Sequence, residues 1–345
     1  MLPKPVASRA LRIGVIGLGS MGKRRIRCFR ALGVEGIAGI DSREDRREDA
    51  AATYGVETFG TVEAAAQAHQ LSALCISVPP DLHLRFMQVA VGLRLPAFVE
   101  AGVVADGMAE VVEEARRLKV ALVPSNTMVF HGAVRTIKAV LTSGRLGNIS
   151  NVNHHTGNHL PSWHPWEPLT DHYASRREVG GAREMVAFEL RWLTQLFGIP
   201  DRSVAMRAKT VQFAGADIDD TYCLLLDWGR ALGVLVSDVV ARPAVRRLSI
   251  VAENGQLVWD WTNQNVRLFD ATRERWEEIP YDAGIAHPGY DANIGERMYV
   301  EESAAFLDQI EGKGSFPNDF SDDLKILEVL YRAEAADRRS AGVSA

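Results

Sequence analysis

The sequence predicts an α/β protein of two domains: a Rossmann-type, doubly wound parallel sheet over 1–124, then an α+β domain with a large, mostly antiparallel sheet over 125–345. Three observations predict it. The chain has 345 residues, more than one core ordinarily supports. From Leu11 to Val123 short apolar runs alternate with helix-spaced amphipathic segments, the pattern of βαβ units. Beyond Pro124 the apolar runs largely follow one another directly, as antiparallel strands do.

In chain order, strands are predicted at 12–19, 36–41, 73–79, 96–101 and 120–125. Helices start near Ser20, Ser42, Thr61, Asp81 and Asp106, residues whose side chains can cap free backbone N–H groups. The second domain opens with a helix over 131–144 and a polar, aromatic stretch from Asn151 to Tyr173. A helix over 185–198 follows, ended by Gly198. Strands are then predicted at 211–217, 221–228, 233–240, 246–261 and 264–270, with a hairpin turn at Asn254-Gly255. Helices near 298–311 and 322–338 close the chain.

Hydrophobic residues make up 47% of the chain and charged residues 24%, with a formal net charge of -5. That balance suits a globular protein and gives no general attraction to nucleic-acid phosphates or anionic membranes, so neither is an expected partner. Cys28, Cys75 and Cys223 lie far apart without a CxxC pair, which speaks against a disulfide framework. No signal-peptide pattern and no run near ~18 apolar residues is found, so a cytoplasmic location is expected.

Gly17-Leu18-Gly19-Ser20-Met21-Gly22 is a GxGxxG fingerprint set between a strand and a helix. Its glycines allow a tight turn, close backbone approach to a pyrophosphate and close helix packing, and the helix N-terminus attracts the phosphates. Asp41 closes the next strand, where a carboxylate accepts from ribose hydroxyls and repels a 2′-phosphate. NAD is therefore expected, contacted also by Ser42. Arg43, which could pair with a 2′-phosphate, keeps NADP as the lesser alternative.

Taken in order, GVIGLGSMG, Asp41, CISVPPDLH, FVEAG, VPSNTMVFHGAVRTIK, GRLGNI, VGGAREMVAFELRWLTQLFG and MYVEESAAFLDQIEG resemble the Gfo/Idh/MocA oxidoreductase family over nearly the whole length. The resemblance implies an NAD(P)-dependent dehydrogenase or reductase. It also implies a second-domain open sheet that covers the active site and often forms the oligomer contact, hence a homodimer or homotetramer. By the same resemblance Ser77, Val78, Pro79, Pro80 and His83 line the cofactor path, and Glu100 and Asn126 lie near the nicotinamide. The segment HHTGNHLPSWHPWEPLTDHY resembles family members of sugar and sugar-nucleotide metabolism, so a sugar, cyclitol or sugar nucleotide is the expected substrate; Trp163 and Trp166 could stack on sugar faces.

The sequence departs from the family where proton transfer is expected. Ala101 replaces the lysine of the usual Glu-Lys-Pro, and Phe188 and Arg191 replace the histidine and following acid of the usual helix motif, of which Glu184 keeps the first acid. Alcohol oxidation still needs a proton acceptor. The candidates are Tyr173, His155, His159, His164 and Glu184. No metal is expected, because the histidine-rich segment does not read as a helix that would put ligands on one face. Two alternatives stay open: a catalytically degenerate NAD- and sugar-binding or regulatory protein, and a lyase, epimerase or hydrolase using tightly bound NAD.

Overall fold

The computed structural model describes residues 9–165, 167–288 and 294–337. The chain divides into two compact units, Met1–Thr127 with Glu296–Asp323 and Met128–Gly295 with Leu324–Ala345.

The first unit opens with β1 (Arg9–Ile16), α1 (Ser20–Ala31), β2 (Val34–Ile40), α2 (Glu44–Tyr54), β3 (Glu57–Phe59) and α3 (Val62–Ala68). It continues through β4 (Ala73–Ile76), α4 (His83–Gly92), β5 (Ala97–Val99), α5 (Met108–Leu118) and β6 (Leu122–Pro124). The strands pair in parallel in the order β3-β2-β1-β4-β5-β6, the doubly wound dinucleotide-binding order. Ile13, Val15, Leu74, Cys75 and Ile76 are fully buried in the central strands. Cover on both faces is why these strands read as continuous apolar runs. Helix α5 buries Met108, Val111 and Ala115 and exposes Glu113, Arg116 and Arg117, the one-sided pattern of a covering helix. Thr61 caps α3 by accepting from Ala64 N, as its sequence position suggests.

The second unit comprises α6 (Gly132–Thr142), β7 (Ile149–Gly157), α7 (Gly181–Phe197) and a run of strands. These are β8 (Arg202–Ala208), β9 (Thr221–Asp227), β10 (Leu232–Asp238), β11 (Val245–Ala252), β12 (Gly255–Asp260), β13 (Asn265–Asp270) and β14 (Arg275–Pro280). They form an eight-stranded sheet, β14-β13-β12-β11-β7-β10-β9-β8, antiparallel except where β7 meets β10. Helix α7 packs on β9 and β10, and Trp192 on α7 meets Trp259 on β12 edge-on at 6.1 Å in the core. Helices α8 (Arg297–Ile310) and α9 (Phe320–Ala336) follow.

Several sequence expectations are corrected. Residues 211–217 are not a strand; the strand lies earlier, at β8, where Ala205 pairs with Leu224. The 211–217 segment leaves the sheet because Asp220 draws Thr210 N and Val211 N into a turn at 2.7 Å each. The polar stretch from Asn151 begins as strand β7, whose buried residues are Val152, His154 and Thr156. In the β11–β12 hairpin Ala252 pairs with Gly255, so Glu253 and Asn254 form the turn. Strands β3 and β14 have no counterpart in the sequence reading. The segment 296–323 is part of the first unit, where the carboxylate of Glu302 on α8 is buried among four donors described below.

Candidate active site

In the first unit the fingerprint forms a cradle. Gly17 has φ +87°, and a Cβ there would meet the Val78 side chain at 3.0 Å and the Ser77 carbonyl more closely still. A Cβ on Gly22 would collide with the Gly17 carbonyl. Gly19, in contrast, faces open space, its nearest neighbour being Arg46 Nη1 at 3.6 Å from such a Cβ. Helix α1 starts at Ser20 and Met21 with no capping side chain at Gly19 and no acid in its first turn, leaving its positive end for an anion. Asp41 is buried, Oδ2 accepting from Leu18 N at 2.8 Å and Oδ1 from Arg43 N at 2.9 Å. Each oxygen keeps a lone pair for a ribose hydroxyl. Ser42 uses its carbonyl to accept from Arg47. The Arg43 guanidinium is turned to Asp45 at 2.6 Å, whereas Arg46 stands 4.0 Å from Asp41.

After β4, Ser77, Val78 and Pro79 lead into a single 3-10 turn opened by Pro80. The buried His83 ring holds this corner through Nε2 to the Val78 carbonyl at 2.9 Å. Ser77 Oγ donates to Glu100 Oε1 at 3.4 Å. Glu100 in turn is gripped by the fully buried Arg25, Nε at 2.6 Å and Nη2 at 3.0 Å. The same guanidinium reaches Glu302 at 2.7 Å, and Glu302 also accepts from Ser125 Oγ, Asn126 N and Thr127 Oγ1. Burial works against the charge on Arg25, but Glu100 and Glu302 overcome it and raise its pKa well above the ordinary value. Next to this network stands Ala101, where the family lysine is expected. Gly102 follows with no spare room, since a Cβ there would come within 2.9 Å of His83 Nδ1. The first unit thus brings its predicted cofactor residues to the ends of consecutive parallel strands, where such folds bind ligands.

In the second unit, β7 sends its two histidines to opposite faces of the sheet. His154 is buried against α7, with Nε2 at 2.8 Å from Glu189 Oε2. His155 lies on the other face, at 2.9 Å from Asp238 Oδ2. His159 is bound to Ser162 Oγ at 2.8 Å beside the Phe213 ring, and burial lowers its pKa. Trp163 donates its indole N–H to the Asn158 carbonyl at 3.1 Å. Trp166 lies outside the described residues.

Three single 3-10 turns carry the chain from β7 to α7, and they gather His164, His172, Tyr173 and Glu184. His164 Nδ1 is 2.7 Å from Glu167 Oε1, and its ring centroid is 4.2 Å from that of His172. The His172 ring is 4.8 Å from that of Tyr173. Tyr173 Oη donates to Glu184 Oε1 at 2.5 Å. The start of α7 is locked in place by Gly181 at φ +63°, where a side chain would press on Ile218 and the Asp219 carbonyl. Burial raises the Glu184 carboxyl to a pKa of about 7, against the Tyr173 hydrogen bond and the Arg191 charge. Its Oε2 is buried with no partner among the described residues.

Glu189, one turn further on, is held differently. It accepts from Arg246, His154 and Trp192 Nε1, the last at 2.6 Å. Burial pushes its pKa up, but Arg246 and His154 outweigh that and bring it to about 2. Phe188 lies under the Arg246 guanidinium at 5.9 Å.

Residues 11–132 match the oxidoreductase family with an NAD-binding Rossmann fold, and residues 134–258 match the GFO/IDH/MocA C-terminal domain. The chain belongs to the Gfo/Idh/MocA oxidoreductase family. Its first unit is accordingly an NAD-binding domain, and the open Gly19, the uncapped α1 and the fixed Asp41 carboxylate fit that dinucleotide. A curated relative, inositol 2-dehydrogenase from Pseudomonas fluorescens, is 30% identical over 145 residues, 40% of this chain and 43% of the relative. The match thus spans less than half of that relative's length. Among solved structures, an oxidoreductase from Agrobacterium radiobacter in complex with NAD+, L-tartaric acid and magnesium shares the fold with a TM-score of 0.82 at 16% identity, over 96% of this chain and 97% of that one. The WlbA dehydrogenase from Bordetella pertussis, in complex with NADH and UDP-GlcNAcA, gives 0.79 at 17% identity over 97% and 98%.

Sequence reasoning missed Glu302 as the partner of Arg25, Arg246 as the partner of Glu189, and Arg46 beside Gly19. It counted His172 with His164 in the histidine-rich segment but passed over Glu167. The His164-x-x-Glu167 spacing was a usable signal, since residues three apart meet across one turn.

Proposed function

We propose that this protein is an NAD-dependent oxidoreductase of a polyhydroxylated substrate, a sugar, cyclitol or sugar nucleotide, in which Tyr173 and Glu184 move the proton. The observation that carries this reading is the 2.5 Å hydrogen bond between Tyr173 and a Glu184 carboxyl whose pKa lies at about 7. A group poised near the working pH accepts and returns a proton with the least waste of driving force. The inositol in the name of the curated relative and the UDP-GlcNAcA held by the WlbA dehydrogenase, which shares the fold, support the chemical class.

In the oxidation direction the dinucleotide, when bound, supplies the hydride acceptor. The substrate hydroxyl gives its proton to the Tyr173 oxygen while the Tyr173 phenol passes its own to Glu184 Oε1. Reduction runs the same transfers backwards. His155, on the far face of the sheet, takes no part in this relay.

Turnover of a panel of sugars, cyclitols and sugar nucleotides with NAD, followed by NADH absorbance, tests the reading. Tyr173→Phe and Glu184→Gln should each lower kcat by ~10²–10⁴-fold, and the wild-type oxidation rate should rise with pH through about 7. Rates unchanged in both variants would remove the pair from the mechanism. No NADH formation or consumption on any substrate would favour the dinucleotide-binding alternative.

The sheet face opposite α7 exposes Val204, Met206, Leu225 and Leu232 on β8, β9 and β10, with Leu225 62% and Leu232 63% exposed. An apolar surface of this kind suits self-association, and a second copy of this chain is the occupant we assign to it. Light scattering at micromolar concentration should give a dimer or tetramer mass, and Leu225→Glu should shift it towards the monomer.

A further inference from the structure

Between β7 and α7 the described residues of 158–180 carry only single 3-10 turns. A segment that long without strand or helix is uncommon inside a compact domain unless it serves a function or is held by something else. We propose that His164, Glu167 and His172 within it form a binding site for one divalent transition-metal ion of the zinc class.

His164 and Glu167 face each other across one turn, closed by Glu167 N donating to the His164 carbonyl at 3.2 Å, and His172 joins them from the turn before Tyr173; each offers one ligand atom within 4.8 Å of the others. Two imidazoles and one carboxylate are the donor set of three-ligand zinc sites that keep a fourth position for water or substrate. Ligands around a tetrahedral zinc stand about 3.3 Å apart for bonds near 2.0–2.1 Å, so small side-chain rotations bring this set to coordination geometry. The His164 and Glu167 pair is already at 2.7 Å. Hard ions such as magnesium prefer oxygen ligands and are disfavoured by two nitrogens. His172 is buried and the other two are partly covered, which limits competition from water. Bridging residues 164 and 172 would cross-link the segment as structural metals do, and would do so 4.8 Å, ring to ring, from Tyr173. The sequence argument against a metal assumed that ligands must share a helix face; here two turns do the gathering, one holding His164 and Glu167 and the other preceded by His172.

The inference stands on these three side chains whether or not Tyr173 and Glu184 transfer protons, and its test reads metal rather than turnover. Tag-free full-length protein is stripped with a chelator, dialysed against Zn²⁺ and analysed for bound metal, with affinity measured against a chromophoric chelator. One equivalent should be retained and should withstand excess Mg²⁺. Loading with Co²⁺ should give a visible ligand-field band. His164→Ala and Glu167→Ala should each weaken zinc binding at least ~100-fold and abolish that band, with circular dichroism and NAD binding unchanged. Wild type retaining no zinc, or a His164→Ala/Glu167→Ala/His172→Ala variant retaining one equivalent undiminished, overturns the proposal.

Discussion

Helix α7 carries two carboxylates five residues apart whose surroundings drive them in opposite directions. Glu189 sits among Arg246, His154 and the Trp192 indole, with a pKa of about 2. Glu184 sits with a single phenol donor and one unpartnered buried oxygen, with a pKa of about 7. Glu189 is fully buried and Glu184 only half-buried, with its Oε2 covered, yet the more buried of the two has the lower pKa, so burial alone does not decide ionisation. The supply of donors and positive charge does. A carboxylate saturated with partners is a structural post, and one left short of them is available for chemistry.

The strongest test of the contrast is Glu189→Gln, which leaves the Arg246 guanidinium without its counter-charge. Losing one partner of a buried pair costs about 3–5 kcal/mol. The sign of its pH dependence is fixed by the lowered pKa. Glu189 stabilises the fold fully above its ordinary value of 4.5, and that contribution fades as the pH falls towards about 2. Urea unfolding should show a large deficit for the variant at pH 7 that shrinks in acid. A deficit independent of pH would mean that shape, not charge, is what Glu189 supplies.

Glu184→Gln should do the reverse. A folded pKa raised from 4.5 to about 7 means that burial of the charged form costs up to about 3 kcal/mol. That cost is absent below 4.5 and complete above about 7. The variant should therefore match wild type at pH 4 and exceed it at pH 8, in a stability measurement, even as it loses turnover. Equal stability at both pH values would show Glu184 to be better solvated than its buried oxygen indicates, and the comparison with Glu189 would fail.

The same contrast explains how much the sequence revealed. The first unit was legible because its strands are buried on both faces and so read as apolar runs, and because Gly17, at φ +87°, and Gly22, packed on the Gly17 carbonyl, stand where a side chain does not fit. The Glu184 match was visible through the family pattern, yet its raised pKa depends on the absence of partners, which no motif spells out. Strand β7 was hidden because its core-facing His154 and Thr156 are polar, satisfied only by partners distant in sequence such as Glu189. Strand β14 was hidden by exposure: of its six residues only Ile279 is not exposed to solvent. The Arg25–Glu302 pair spans most of the chain, and nothing local announces it.

Asp41 offers a third carboxylate and the smallest expected effect. It resembles Glu189 in being fixed by donors, here Leu18 N and Arg43 N, but it resembles Glu184 in keeping capacity for a further partner. If that capacity serves a ribose hydroxyl, its removal should be read in ligand choice, not in stability against pH. A hydrogen bond to a charged group contributes about 1.5–3 kcal/mol, so Asp41→Ala should weaken NAD binding by roughly ten- to a hundredfold. NADP should lose less, because its 2′-phosphate is then spared a facing carboxylate and meets Arg46 nearby. Asp41→Asn is the control for the loop, since its amide oxygen can still accept from Leu18 N while the charge is gone. Calorimetry with both dinucleotides on the three proteins separates the roles. An Asn variant that keeps full NAD affinity but gains NADP assigns the charge to discrimination alone, and equal losses for both dinucleotides in the Ala variant would reduce Asp41 to a brace for the glycine turn.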